Sequence, residues 1–156
     1  MRLHIAAVGR LRAGPERSLV DDYLARLEKT GRGIGLTVER ITEIEDRKGG
    51  GPEAEARLLR AAVPEGAALW VLDERGRVMT SPDFAGAIAG LRDAGRKDLV
   101  LMIGGADGLD PSLRAEADMA ISLGAMVWPH MLVRVMLSEQ LYRAATILAG
   151  SPYHRA

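Results

Sequence analysis

Cysteine is absent from the 156-residue chain. That removes disulfides, thiolate zinc sites and cysteine nucleophiles together, and it fits a reducing, cytoplasmic setting. Aromatic residues are scarce, at 4%. The core is therefore expected to be aliphatic, and base-stacking platforms of the single-strand-binding kind are not expected. Neither sign of charge is in excess, because 21 basic residues meet 21 acidic ones. A non-specific nucleic-acid binder normally carries a basic surplus, so a broad grip on nucleic acid is not expected. A local basic patch, or one assembled from two subunits, stays open. No apolar run reaches the roughly 18 residues that a membrane span requires, so no membrane partner is expected. The histidines are His4, His130 and His154, and no two have ligand spacing, so no metal is expected.

What remains is the composition of a globular protein, 47% hydrophobic and 27% charged, expected to form one domain over residues 1–156. Apolar runs of strand type alternate with helical patterns. Leu3 to Val8 reads as a buried strand ending at Gly9. Pro15 to Lys29 reads as a helix, with Leu19, Val20, Tyr23, Leu24 and Leu27 supplying the 3.6-residue period. Leu36 to Ile44 reads as a second strand. Arg47-Lys48-Gly49-Gly50-Gly51-Pro52 reads as a flexible basic loop, and Glu53 to Ala62 as a helix. Ala67 to Leu72 is a third strand, after which Asp73-Glu74-Arg75-Gly76 turns the chain. Ser81 suits an N-cap and Pro82 the first helical position of a helix running to about Ala94. Leu99 to Ile103, a short helix from Pro111, a strand from Met119 to Leu123 and a long helix from Pro129 to about Ala149 complete the order. This alternation predicts an α/β fold, a mostly parallel sheet with helices on both faces.

Parallel sheets place ligands beyond the carboxyl ends of their strands. Those ends are Leu72-Asp73-Glu74, Ile103-Gly104-Gly105 and Leu123-Gly124-Ala125, and they are candidates for lining one pocket. The run Gly104-Gly105-Ala106-Asp107-Gly108 lets backbone approach a ligand, yet its spacing matches no phosphate-loop motif; a plain strand-to-helix turn is the commoner use of such a run. Ser122 to His130 is apolar without a clean period. It suits either a buried connection or a pocket whose backbone groups bond an adenine edge while Leu, Met and Val cover the rings. The last helix is apolar all round, which favours cover by a partner subunit over a central core position. It still carries His130, Arg134, Glu139 and Arg143. His130 and Arg134 share a face near the helix start, where anions are attracted. A salt bridge with Glu139 or another acid is the plainer reading of Arg134. The tail, Gly150 to Ala156, is rich in hydrogen-bonding groups for a chain end.

In four of these segments the chain resembles the ribosomal RNA large-subunit methyltransferase H family, a branch of the SPOUT methyltransferases. They are Leu72-Asp73 with Gly76, Ile103-Gly104-Gly105 with Gly108-Leu109, Ser122 to His130 continuing into Leu132-Val133-Arg134-Val135, and Glu139-x-Leu141-Tyr142-Arg143-Ala144 with Pro152-Tyr153-His154. The likeness covers the whole chain. It implies a SPOUT-type fold with a C-terminal trefoil knot and S-adenosyl-L-methionine as cofactor. The cofactor positions would be Leu72, Gly104, Leu123, Gly124, Ala125, Met126, Val127 and Trp128. It implies a homodimer through the last helix, acting on N3 of a pseudouridine of 23S ribosomal RNA in the assembled ribosome. His130, Arg134 and His154 are the catalytic candidates, with His130 or the partner tail's His154 taking the ring proton. Arg134 and Arg143 suit RNA phosphate or a developing oxyanion, and Tyr153 would contact the base. Gly124 and Val127 stand where the family commonly has Ser and Thr, so hydroxyl contacts there are lost and backbone contacts remain. Rival classes are a SPOUT enzyme acting on transfer RNA, a non-catalytic nucleotide-binding dimer, and an interaction domain without chemistry.

Overall fold

Ten regular elements alternate along the chain in a computed structural model that describes every residue except Asp46, Ala156 and the side chain of Arg40. They are β1 (Arg2–Val8), α1 (Pro15–Gly31), β2 (Thr37–Ile44), α2 (Gly51–Ala61), β3 (Ala68–Val78), α3 (Ser81–Asp93), β4 (Asp98–Ile103), α4 (Pro111–Glu116), β5 (Met119–Ser122) and α5 (His130–Leu148), with a 3₁₀ turn at Arg32–Ile34. The sheet order is β2-β1-β4-β3-β5, and every pairing between these strands is parallel.

Side chains alternate across a strand, and here both sides are covered. Leu3, Ile5 and Ala7 of β1 with Leu99, Leu101 and Ile103 of β4 pack beneath α1, α3 and α5. Ala6, Val8, Val100 and Met102 pack on the other side with Ala56 and Leu59 of α2 and Leu113 of α4. The strands are thus continuous apolar runs because each face meets helices.

Three local expectations change. β3 does not end at Leu72. It continues to Val78, with its register against β5 broken: Leu72 and Arg77 both pair with Ile121. Residues 73–76 bulge out and the strand resumes. Gly76 permits this, since a Cβ there would lie 2.6 Å from the Ile121 backbone. The cap of α3 is Thr80 rather than Ser81. The Thr80 backbone is extended, and its Oγ1 accepts the Asp83 N–H at 3.2 Å. Likewise Pro129 precedes α5 instead of starting it.

The amino ends of β1 and β4 carry a buried polar knot. Asp98, only 4% exposed, accepts from Arg2 Nε and Nη2 at 2.8 and 2.7 Å and lies 2.7 Å from His4 Nε2. Arg2, then His4, hold the Asp98 carboxyl below its ordinary 3.8 against the opposing effect of burial. Asp98→Asn is expected to cost about 2 kcal/mol, because hydrogen bonds to a charged group are lost and His4 stays buried. The folded carboxyl titrates lower than the unfolded one, so this stabilisation is complete above 3.8 and fades as pH falls through the folded value. Urea midpoints of wild type and variant should therefore differ at neutral pH and converge in acid; a gap that persisted undiminished at the lowest pH would contradict the assignment.

Candidate functional site

The three strand ends do line one cavity, of about 520 Å³, within the range of small-molecule sites. Leu72, Asp73 and Glu74 lie at the register break within β3, Ile103 ends β4 with Gly104 to Ala106 after it, and Ser122 ends β5 with Leu123 and Gly124 after it. Met126, Val127, Trp128 and His130 form the wall leading into α5. Its surface is mainly apolar, and the two glycine-containing loops form part of it.

Glycine shapes both loops. Gly104 is packed so that a Cβ would sit 2.6 Å from the Gly108 carbonyl carbon and 2.9 Å from the Leu109 nitrogen. The turn closes through Gly108 N–H donating to Gly105 O at 3.0 Å. The run is therefore both a tight turn and a cavity wall. In the other loop Gly124 has φ 114, a conformation side chains rarely adopt. Ser122 Oγ closes this loop, accepting from Gly124 N at 3.2 Å and donating to Gly124 O at 3.0 Å. The positive φ at position 124 is one that glycine adopts without strain.

Of the proposed cofactor positions, Leu72, Gly104, Leu123, Gly124, Met126, Val127 and Trp128 line the cavity, and Ala125 is exposed beside it. His130 also lines it. Arg134 does not. Its side chain is buried, with Nη1 donating to Glu43 at 3.2 Å and Nη2 donating to Val8 O at 3.3 Å and Gly9 O at 3.0 Å. Burial pulls the guanidinium below its ordinary range, and Glu43 offsets part of that. The salt bridge that sequence left open is real, with Glu43 as the acid rather than Glu139. Arg134→Ala removes a buried cation and strands two carbonyls. It is expected to cost about 3 kcal/mol and to lower Tm by roughly 6–12 °C. Calorimetry showing an unchanged Tm would refute the burial.

Arg143, Tyr153 and His154 form a second cluster, centred on Glu139. Glu139 Oε1 accepts from Arg143 Nε at 3.0 Å, Arg143 Nη2 at 2.6 Å and Tyr153 Oη at 3.0 Å. The Arg143 guanidinium lies 4.9 Å from the Tyr153 ring centre, and its Nη1 is 3.4 Å from His154 Nδ1. Burial, reinforced by Glu139, pushes the Tyr153 hydroxyl up to about 12. These contacts tie the tail to α5. Glu139 carried a legible signal, its i,i+4 spacing to Arg143, whereas Glu43 carried none. Residues 130 and 143 are about 20 Å apart along α5 at 1.5 Å per residue, while Glu139 lines a second pocket that shares Leu72 and the Ser122–Gly124 loop with the cavity.

A patch of apolar side chains is exposed around the cavity mouth and the first turn of α5. Met126 is 72% exposed and Val127 84%, and Trp128, Met131 and Leu132 adjoin them. Among the described residues no group of side chains could hold a metal ion, and no helix is long and apolar enough to cross a membrane.

A family model described as "Predicted SPOUT methyltransferase" matches residues 1–154. The ribosomal RNA large subunit methyltransferase H of Ruegeria pomeroyi is 70% identical over 155 residues, covering 99% of both chains. That of Roseobacter denitrificans is 69% identical over the same length and coverage. A probable methylase family protein from Haemophilus influenzae Rd KW20 superposes with a TM-score of 0.54 at 14% identity, over 99% of this chain and 70% of that one. The last likeness is one of fold alone.

Proposed function

The chain belongs to the SPOUT methyltransferase family, and from that premise we propose that it methylates N3 of a pseudouridine in large-subunit ribosomal RNA, within the assembled ribosome, using S-adenosyl-L-methionine. The observation that carries this reading is the cavity at the break in β3 and the ends of β4 and β5. Its aliphatic walls suit a purine, and its two glycine-shaped loops offer backbone groups to an adenine edge. Bound there, the cofactor would supply a methyl already activated on a sulfonium. The protein then has to align the ring nitrogen and manage one proton.

His130, on the cavity wall, is the candidate to hold or accept that proton. His154 is the second, with Arg143 and Tyr153 beside it as contacts for RNA. Within one chain His154 is held beside Arg143, about 20 Å along α5 from His130. The reading therefore includes a homodimer through α5 and the exposed patch at residues 126–132, in which one protomer's tail meets its partner's cavity. Family membership also supports a trefoil knot.

Calorimetric titration tests the cofactor. S-adenosyl-L-methionine is expected to bind saturably and ATP not to bind. The reverse order would favour a nucleotide-binding module.

A further inference from the structure

The short loop after β1 leaves the sheet directly at the cavity rim. A Cβ on Gly9 would be 3.8 Å from His130 Nε2, and Val8 Cγ1 lies 3.0 Å from where a Gly105 Cβ would be. Both neighbours line the cavity. Arg10 and Arg12 follow, both exposed, and neither has an ion pair or hydrogen bond among the described residues. Among the described residues most other arginines are paired with acids, so two unpaired guanidiniums at this place call for a physical account.

The loop that carries them is held rigidly. Leu11, between the two arginines, is buried. Its N–H donates to Glu43, and its carbonyl accepts from Arg17 Nη1 at 3.2 Å. Arg134 takes the carbonyls of Val8 and Gly9 just before it. The carboxylates on the loop's flank are already engaged: Glu43 by Arg134 and the Leu11 amide, Glu45 by Arg47 at 3.7 Å. The basic loop after β2, with Arg47 and Lys48, leaves the same edge of the sheet, since Gly9 N–H bonds Ile44 O at 2.8 Å. A chain of zero net charge has no general attraction for a polyanion, so any grip on one has to be local.

We propose that Arg10 and Arg12 form a pre-set clamp for backbone phosphates of the RNA substrate, placed at the mouth of the methyl-donor cavity. This rests on the methyltransferase reading above. Arginine suits the task because its planar fork matches phosphate, and a loop with its backbone already fixed loses little freedom on binding. Phosphate contacts of this kind set register and carry no sequence information, which leaves base selection to the cavity.

The test is methyl-transfer kinetics on large-subunit particles that lack the modification, with wild type, R10Q/R12Q and a charge-matched control, K29Q/K97Q. Lys29 and Lys97 are exposed at the opposite end of the sheet. Losing two phosphate contacts should lower the salt dependence of apparent affinity by about 2 in log–log slope. Between about 50 and 200 mM salt the wild type should then lose roughly twelvefold more affinity than R10Q/R12Q. At the lower salt KM for particles should rise about tenfold or more in R10Q/R12Q, with the cofactor Kd unchanged and the control resembling wild type. A wild-type enzyme that transfers methyl while R10Q/R12Q matches it in KM and slope overturns the clamp and leaves the function standing. A control that weakens equally also overturns it, as a bulk charge effect. A wild type that transfers no methyl to these particles removes the function reading and the clamp together.

Discussion

Alanine at either His130 or His154 is expected to slow methyl transfer by roughly 10²–10⁴-fold, the usual contribution of a positioned proton acceptor or its immediate partner, while cofactor affinity changes only a few-fold. The two histidines sit in different places within one chain. His130 is on the cavity wall and His154 is held beside Arg143, about 20 Å further along α5. A composite site across a two-fold axis makes a sharper prediction than either variant alone. Mixing the two inactive variants and letting subunits exchange should restore roughly a quarter of wild-type turnover, because half the dimers are then mixed and each holds one intact site. No recovery on mixing would show that both residues act within one chain, or that the tail does not act at all.

Gly104→Ala is expected to weaken S-adenosyl-L-methionine binding roughly a hundredfold, equal to about 3 kcal/mol. The added methyl meets three backbone atoms of Gly108 and Leu109, all closer than 3.0 Å. No flexible side chain is available to move aside, so the Gly104–Leu109 turn has to open, and it is the cavity wall. Gly86 is the matched control. It lies within α3 and a Cβ there meets nothing within 4 Å, so Gly86→Ala should leave binding unchanged. Equal affinities for wild type and Gly104→Ala would mean that the turn does not shape the cofactor site.

Element order and the site's location were legible because both depend on local pattern. Apolar strands such as Leu99 to Ile103 are buried on both faces, and their carboxyl ends converge by the geometry of a parallel sheet. Burial of Arg134 was not legible. It depends on Glu43, ninety-one positions away, and no local pattern reports such a pairing. The β3 bulge was missed for a related reason. Asp73-Glu74-Arg75-Gly76 has the composition of a turn, and only the approach of Ile121 shows that the strand resumes beyond it. Thr80 displaced Ser81 as cap by a one-residue margin that two adjacent hydroxyls leave open in sequence. The tail's order likewise comes from Glu139, whose three hydrogen bonds hold Arg143 and Tyr153.

The central claim is tested most directly by transfer of labelled methyl from S-adenosyl-L-methionine to intact ribosomes from cells lacking this gene, followed by nucleoside mass spectrometry of the large-subunit RNA. The account predicts one new methyl group on a pseudouridine, formed only when the protein is present. Cofactor binding with no methyl above background on that RNA would contradict it.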